Sequence, residues 1–200
     1  MNGSIRLAIP ADCARIASIY APYVLNTAIS FESEPPSEQE MRQRVQDTLT
    51  FLPWLVCTYG DQVVGYAYAD KYRIRAAYQW SSWISVYVDS GMHRSGVGRG
   101  LYASLIKILE LQGFYNLFAG ITLPNEASVG LHRSFGFQQI SLERSVGHKL
   151  GHWHDVSIWQ LPLRECSSNP ENVSRIDSVA KSQFWSQAIS AGLRFLRARS

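Results

Sequence analysis

Between Val88 and Leu101 the sequence reads VDSGMHRSGVGRGL, with glycines at 96, 98 and 100 and arginines at 94 and 99. Glycine lets backbone N–H groups come close to a polyanion, and a helix starting at the same point adds the partial positive charge of its unsatisfied amides. Guanidinium groups at that end supply full counter-charges for phosphate. The spacing matches neither the dinucleotide fingerprint in its usual place nor a P-loop, because no Gly-Lys-Ser/Thr follows. The chemistry indicated is the binding of a pyrophosphate-bearing ligand. The bland alternative is a strand, a turn and a helix with solvated arginines.

Other reactive residue types are sparse. The cysteines, Cys13, Cys57 and Cys166, are odd in number and lack CxxC spacing, which argues against a disulfide framework or a zinc knuckle and for a reducing, cytoplasmic setting. Cys13 and Cys57 fall in apolar runs and read as core rather than as nucleophiles. His148, His152 and His154 have no acidic or thiol partner at ligand spacing, so no metal is expected. His132, within LHRSFGF, sits on an amphipathic helix and titrates near neutrality, which suits either a structural or a proton-transfer role. Asn125 follows Pro124 and reads as a helix cap.

These residues need elements to position them. A short strand spans Ile5–Ile9, and Asp12 caps a helix from Cys13 to about Leu25. Pro35 and Pro36 make TAISFESEPPS a loop. Ser37 and Glu40 form a capping box opening a helix to about Leu49. Strand runs at Trp54–Tyr59 and Gln62–Tyr72, joined at Gly60-Asp61, predict a hairpin. A third central strand covers Trp83–Val88, and a long helix runs from Gly96 to Gln112, stopped by Gly113. A strand at Tyr115–Thr122, a helix at Glu126–Phe135, and strands near Gln138–Val146 and His154–Leu161 complete the order βααβββαβαββ. That order is a mixed α/β domain with a helical crossover between two parallel strands.

The chain has 200 residues with 46% hydrophobic residues, enough for a sizeable core, and no apolar run reaches the length of a membrane span. Net charge is +3, and it lies wholly in the tail. Residues 1–163 balance 13 basic against 13 acidic side chains, which offers no basic groove for nucleic acid. Residues 164–200 carry six basic residues, Arg199 among them, against three acidic ones. A polar linker from Arg164 leads there to one amphipathic helix, with apolar residues at Ile176, Val179, Ala180, Phe184, Ala188, Ile189, Leu193 and Leu196. Such a helix docks on its own domain, packs in a dimer, or makes peripheral contact with an anionic membrane.

The stretches PWLV (Pro53–Val56), AYQW (Ala77–Trp80), VYV (Val86–Val88), LELQGF (Leu109–Phe114), LPNEASVGLHRSFGF (Leu123–Phe137) and GHWHDVSIWQ (Gly151–Gln160), with the element order, resemble the GNAT superfamily of N-acetyltransferases, in its phosphinothricin and methionine-sulfoximine branch. The resemblance covers residues 5–163. It implies the GNAT fold, a mixed sheet of about seven strands flanked by helices, and an enzyme that uses acetyl-CoA as co-substrate on a small, amino-acid-like amine. It implies that Val86, Tyr87 and Val88 accompany the pantetheine arm, that Arg94, Ser95, Gly96, Val97, Gly98 and Arg99 wrap the pyrophosphate, and that Asn125 contacts the cofactor. His132 stands where many such enzymes keep a Tyr that protonates the departing thiolate. Phe31 and Glu32 match a loop closing over the substrate, Arg75 a carboxylate-binding basic residue, and Tyr78 and Trp80 apolar walls. Similar proteins are commonly homodimers. The tail is outside the family pattern.

Two positions depart from that pattern. His93 replaces a Gln or Arg at the start of the phosphate motif, with Arg94 and Arg99 still in place. Trp83 stands where the branch keeps a Glu proposed to deprotonate the substrate amine. An indole has no proton-accepting nitrogen. A free α-amine has a pKa of about 8, so roughly a tenth is neutral at pH 7. A positioned base contributes ~10²–10⁴ in rate. Trp83 therefore either shapes a pocket for a more apolar acceptor, with Glu32, Asp155, His132 or water taking the proton, or marks a CoA-binding module that has lost turnover.

Overall fold

The computed structural model describes residues 3–198, so Arg199 lies outside the described residues. Seven strands form one sheet in the order β1-β2-β3-β4-β5-β7-β6: β1 (Gly3–Leu7), β2 (Trp54–Tyr59), β3 (Gln62–Lys71), β4 (Ser81–Val88), β5 (Asn116–Thr122), β6 (Gln138–Lys149) and β7 (His152–Pro162). Neighbours are antiparallel except β4 and β5, the pair joined by the crossover helix α3 (Val97–Gln112). Their ladder runs only over Ser81–Trp83 against Asn116–Phe118. Beyond it the two strands part.

Alternation on β4 assigns the two faces of the sheet. Ile84, Val86 and Val88 face α3, whose Leu101, Leu105, Ile108 and Leu109 form the main core with Leu55, Cys57 and Leu117. Tyr87 faces a second core, where α1 (Cys13–Asn26) and α2 (Glu38–Leu49) cover Val56, Tyr66 and Trp54. Helix α2 begins at the expected capping box, with the Ser37 hydroxyl accepting from the Glu40 N–H and Glu40 accepting from the Ser37 N–H. Asp12 does not cap α1. Its carboxylate takes both guanidinium nitrogens of Arg6 and the Ile9 N–H instead, because a bidentate ion pair across the β1–α1 turn offers two charge-assisted bonds where a cap offers one.

The expected single C-terminal helix is two: α5 (Ile176–Ala180) and α6 (Trp185–Leu193). The carboxamide of Gln112 donates to the carbonyls of Phe51 and Ser174, and the Ile176 N–H donates to Phe51. Those bonds fix α5 at the C-terminal end of α3, so the chain must turn before α6 can run back along α3. Close approach there requires small residues. A Cβ on Gly192 would overlap the Gly100 carbonyl and the Ser104 hydroxyl, and one on Gly100 would lie 2.9 Å from the Gly192 carbonyl. Ser104 donates to the Ile189 carbonyl at 2.9 Å. The apolar face of the tail is thus buried on its own body, the docking alternative among the three.

This crossing makes a stability prediction. Gly192→Val should force α6 off α3 and lower the melting temperature, at about 1–3 kcal/mol for overpacking. The exposed control Gly130→Ala, where an added Cβ meets nothing within 4 Å, should not lower it. Calorimetric unfolding of both variants checks the pair.

Candidate functional site

Where β4 and β5 part, a cleft of about 730 Å³ opens along the C-terminal half of β4. Val86 and Val88 form one wall, Asn125, Ala127 and Ser128 of helix α4 (Glu126–Ser134) and the turn before it form the other, and Arg94, Gly96, Val97, Gly98 and Arg99 close one end. Gly96 takes the left-handed conformation (φ 89°) at the start of α3, which a β-substituted residue adopts only with strain. The amides of the first turn of α3 have no intrahelical acceptor, so partial positive charge faces the cleft beside two arginines. Asn125 is the cap it resembles, its side-chain oxygen accepting from the Ser128 N–H at 3.1 Å, while also lining the cleft. The Ser95 hydroxyl is turned back on the Met92 carbonyl, leaving its backbone as the part that shapes the loop.

A smaller cavity of about 70 Å³ adjoins the cleft between the parted strands, lined by Ser85, Val86, Tyr87, Gly120, Tyr102 and His132 among others. His132 is buried, at 3% exposure. Its Nδ1 lies 2.7 Å from the Ser128 carbonyl oxygen, so that nitrogen carries the proton. Nε2 is then an acceptor, and the Tyr102 hydroxyl sits 3.1 Å from it. Burial holds the imidazole pKa below its ordinary value, and it pushes the Tyr102 phenol far above its own. The pair is therefore a neutral base next to a phenol that keeps its proton. Tyr102 was missed from sequence because an aromatic on the inward face of a helix reads as core. The polar atom that a buried tyrosine must satisfy was the available signal.

The structure separates the other expected residues. Phe31 and Glu32 lie on the α1–α2 loop, which the β6–β7 hairpin clasps. Lys149 Nζ donates to the carbonyls of Val24, Ser30 and Glu32 at 2.6, 2.6 and 2.8 Å. The Phe31 ring packs on Gly147, where a Cβ would overlap it. Arg44 binds both oxygens of Glu32 and Tyr20 donates to one, which holds that carboxyl below the usual range. Ile29, on the same loop, lines both the cleft and the small cavity. Tyr23 donates to the Val88 carbonyl at 2.5 Å and meets His93 at 3.1 Å, tying the departing position of the motif to α1.

Arg75 and Tyr78 do not join the cleft. They line a separate cavity of about 590 Å³ with Asp70, Tyr72 and Ser81. Lys71 pairs with Ser82, so the β3–β4 connection must lie at the N-terminal end of β4, while the cleft opens at its C-terminal end. Trp80 is not an apolar wall either: its indole donates to the Glu171 carbonyl and anchors the linker. Trp83, expected in the substrate pocket, lines none of these cavities, because its indole is packed within the sheet's own aromatic side chains. Its N–H donates to the Tyr72 carbonyl at 3.2 Å, and its ring packs on Tyr72 and Phe118. Asp155 accepts from the Ser145 N–H in the β6–β7 hairpin. No cluster of three or more His, Cys, Asp or Glu arranged to hold a metal occurs among the described residues.

Comparison with known proteins places this geometry. Residues 5–159 match the acetyltransferase (GNAT) domain model. The chain is 38% identical over 156 residues to the phosphinothricin N-acetyltransferase of Streptomyces viridochromogenes, covering 78% of this chain and 85% of that protein. It is 34% identical over 173 residues to the L-methionine sulfoximine/L-methionine sulfone acetyltransferase of Pseudomonas aeruginosa, covering 85% of this chain and all of that one. Among solved structures, a phosphinothricin acetyltransferase from Sinorhizobium meliloti in complex with AcCoA superposes with a TM-score of 0.82 at 32% identity, covering 91% of this chain and 100% of that one.

The His132 environment gives a pH prediction. An unfolded imidazole titrates near 6.5, and the folded one lies lower. As pH falls through about 6.5 the unfolded chain takes up that proton first, so this group's share of stability declines toward acid. In NMR, His132 should keep an Nδ1–H tautomer and titrate below the ordinary imidazole value near 6.5; a midpoint at or above that value would refute the assignment.

Proposed function

The chain belongs to the GNAT acetyltransferase family and is an N-acetyltransferase; from that premise we propose that it acetylates a small amino-acid-like amine of the phosphinothricin or methionine-sulfoximine type, by direct transfer from acetyl-CoA in a ternary complex. One observation carries the reading. The cleft between the parted strands has an arginine-bearing glycine loop at one end and a neutral His132–Tyr102 pair beside it. A long ligand with phosphates at one end and an acyl thioester at the other fits that donor set.

Acetyl-CoA supplies the activated acetyl group. Arg94, Arg99 and the first amides of α3 hold the phosphates, and β4 from Val86 to Val88 lines the path between them and the small cavity. On transfer the amine nitrogen loses a proton and the departing sulfur gains one. His132 Nε2 accepts from the Tyr102 hydroxyl, so the phenol relays: it passes its proton to the neutral imidazole as it takes the amine's, and the reverse shift returns a proton to the sulfur. Glu32, held ionised by Arg44, is the weaker base. The cysteines support direct transfer over a covalent route: Cys13 and Cys57 are buried, the Cys57 thiol is pushed up to about 12 by burial, and Cys166 lies on the exposed linker. Trp83 and its aromatic neighbours suit an acceptor with an apolar portion, which enters with its amine already neutral or gives its proton to His132.

Thiol release from acetyl-CoA with a panel of amines tests this. An amine-dependent rate is expected, falling by ~10²–10⁴ in His132→Gln. Tight CoA binding without turnover on any amine would favour a binding module instead.

Two variants probe the parts. Gly98 has a right-handed backbone, and a Cβ there meets Val88 at an ordinary 3.5 Å, so Gly98→Val should fold yet crowd the cleft and weaken CoA binding roughly five- to a hundredfold by calorimetry. Trp83→Glu should raise kcat on a phosphinothricin-like amine, most at low pH where little amine is neutral. On an apolar acceptor the same change should lower it by burying an unpaired carboxylate. No change on any amine would remove Trp83 from the account.

A further inference from the structure

After α6 the chain does not leave the domain. It passes directly over the phosphate loop. The Phe195 carbonyl occupies the place a Cβ on Gly96 would need, and the Arg197 N–H donates to the Ser95 carbonyl at 3.3 Å. From the other side the Tyr59 hydroxyl donates to the Arg197 carbonyl at 2.7 Å. The backbone of Arg197 is therefore pinned to both the loop and β2, and its side chain lines the same cleft as Arg94 and Arg99. The tail takes an acceptor of the loop and leaves the first amides of α3 to the cleft.

The Phe195 ring also sets the charges. The Arg99 guanidinium lies 5.0 Å from its centroid, and that of Arg194 lies 4.9 Å from it. Stacking on an aromatic face restrains a guanidinium while leaving its N–H edge for other partners. Among the described residues, Arg94, Arg99, Arg194 and Arg197 form no ion pair with a carboxylate, and the sequence has no acidic residue after Asp177. Three guanidiniums lining one end of a cleft, Arg94, Arg99 and Arg197, with Arg194 stacked beside them on Phe195 and no carboxylate paired to any of the four among the described residues, call for an anionic occupant.

We propose that the C-terminal segment is a built part of the phosphate site: Arg197 binds a phosphate group of CoA together with Arg94 and Arg99, and Phe195 holds Arg99 in place. This rests on the acetyl-CoA reading of the cleft and adds to it residues outside the family pattern. It also gives Gly96 a second role. Its missing Cβ makes room for the Phe195 carbonyl, which is why Gly98 rather than Gly96 tests the cleft alone.

Calorimetric titration of the full chain with CoA is the test, on wild type, Arg197→Gln, Arg197→Lys and Phe195→Leu. The Arg197 side chain is exposed, so its variants should fold with unchanged melting temperature. Arg197→Gln should weaken CoA binding about five- to twentyfold, in the range of a charge-assisted hydrogen bond at a partly solvated site. Arg197→Lys should recover most of the loss, and the gap should narrow at about 0.5 M salt as screening sets in. Phe195→Leu should give a smaller loss. If the Arg197→Gln loss persists with 3′-dephospho-CoA, Arg197 serves the diphosphate; if it vanishes, Arg197 serves the 3′-phosphate; both support the proposal. A folded Arg197→Gln that binds CoA like wild type, or a loss that Lys does not recover and salt does not change, overturns it. Wild type without affinity for CoA would instead overturn the cofactor reading itself.

Discussion

The site depends on how briefly β4 and β5 pair. Three residues of parallel ladder, Ser81–Trp83 with Asn116–Phe118, hold the two halves of the sheet together, and then the strands diverge. A buried sheet normally satisfies its backbone by continuing the ladder. Here the gap is floored by Tyr102 from the crossover helix and His132 from α4, whose polar atoms bond to each other and to the Ser128 carbonyl. The same divergence that opens the cleft thus brings a buried imidazole, held below its ordinary pKa by burial, to the cavity beside it.

Electrostatics divide the molecule along the cleft. At its arginine-lined end the guanidiniums lack carboxylate partners among the described residues, so their field is available to a ligand. On the α1–α2 side the charges are held internally: Arg44 binds Glu32, and Lys149 donates to three carbonyls. Those internal bonds position a loop. Lys149 draws the α1–α2 loop and the β6–β7 hairpin together, bringing Ile29 over the cleft and setting Phe31 against Gly147. Arg15 pairs with Asp89 just after β4, a second tie, beside Tyr23 to Val88, between α1 and the strand that carries the site.

Trp83 lines neither the cleft nor the cavities beside it. With Tyr72, Tyr78, Phe118 and the Arg73 guanidinium it forms a continuous aromatic cluster at the N-terminal end of β4. Its single N–H is bonded to backbone, so the indole itself adds only a π-face and apolar edges to that cluster.

Local rules determined much of this protein. Alternation and helical periodicity gave the seven strands and the helices of the body within a few residues, because each element buries one face and must repeat at its own period. The Ser37–Glu40 box, the Gly113 stop and the glycine–arginine loop follow from chemistry within one turn of chain, and all three are where their residues placed them. What tertiary structure decided mostly involves partners far apart in sequence. Trp80 is taken by the linker at Glu171, and Arg75 is carried to the far end of β4 by the β3–β4 register; the shift of Asp12 from cap to Arg6, six residues away, is the nearer exception. Tyr102 meets an imidazole only because α4 brings His132 beneath the parted strands. The tail breaks into two helices because Gln112 anchors its start and Gly100 admits Gly192 at its end. A hydrogen bond or an overlap of atoms across ninety residues leaves no periodic trace in the chain; only the packed structure brings the two partners within reach.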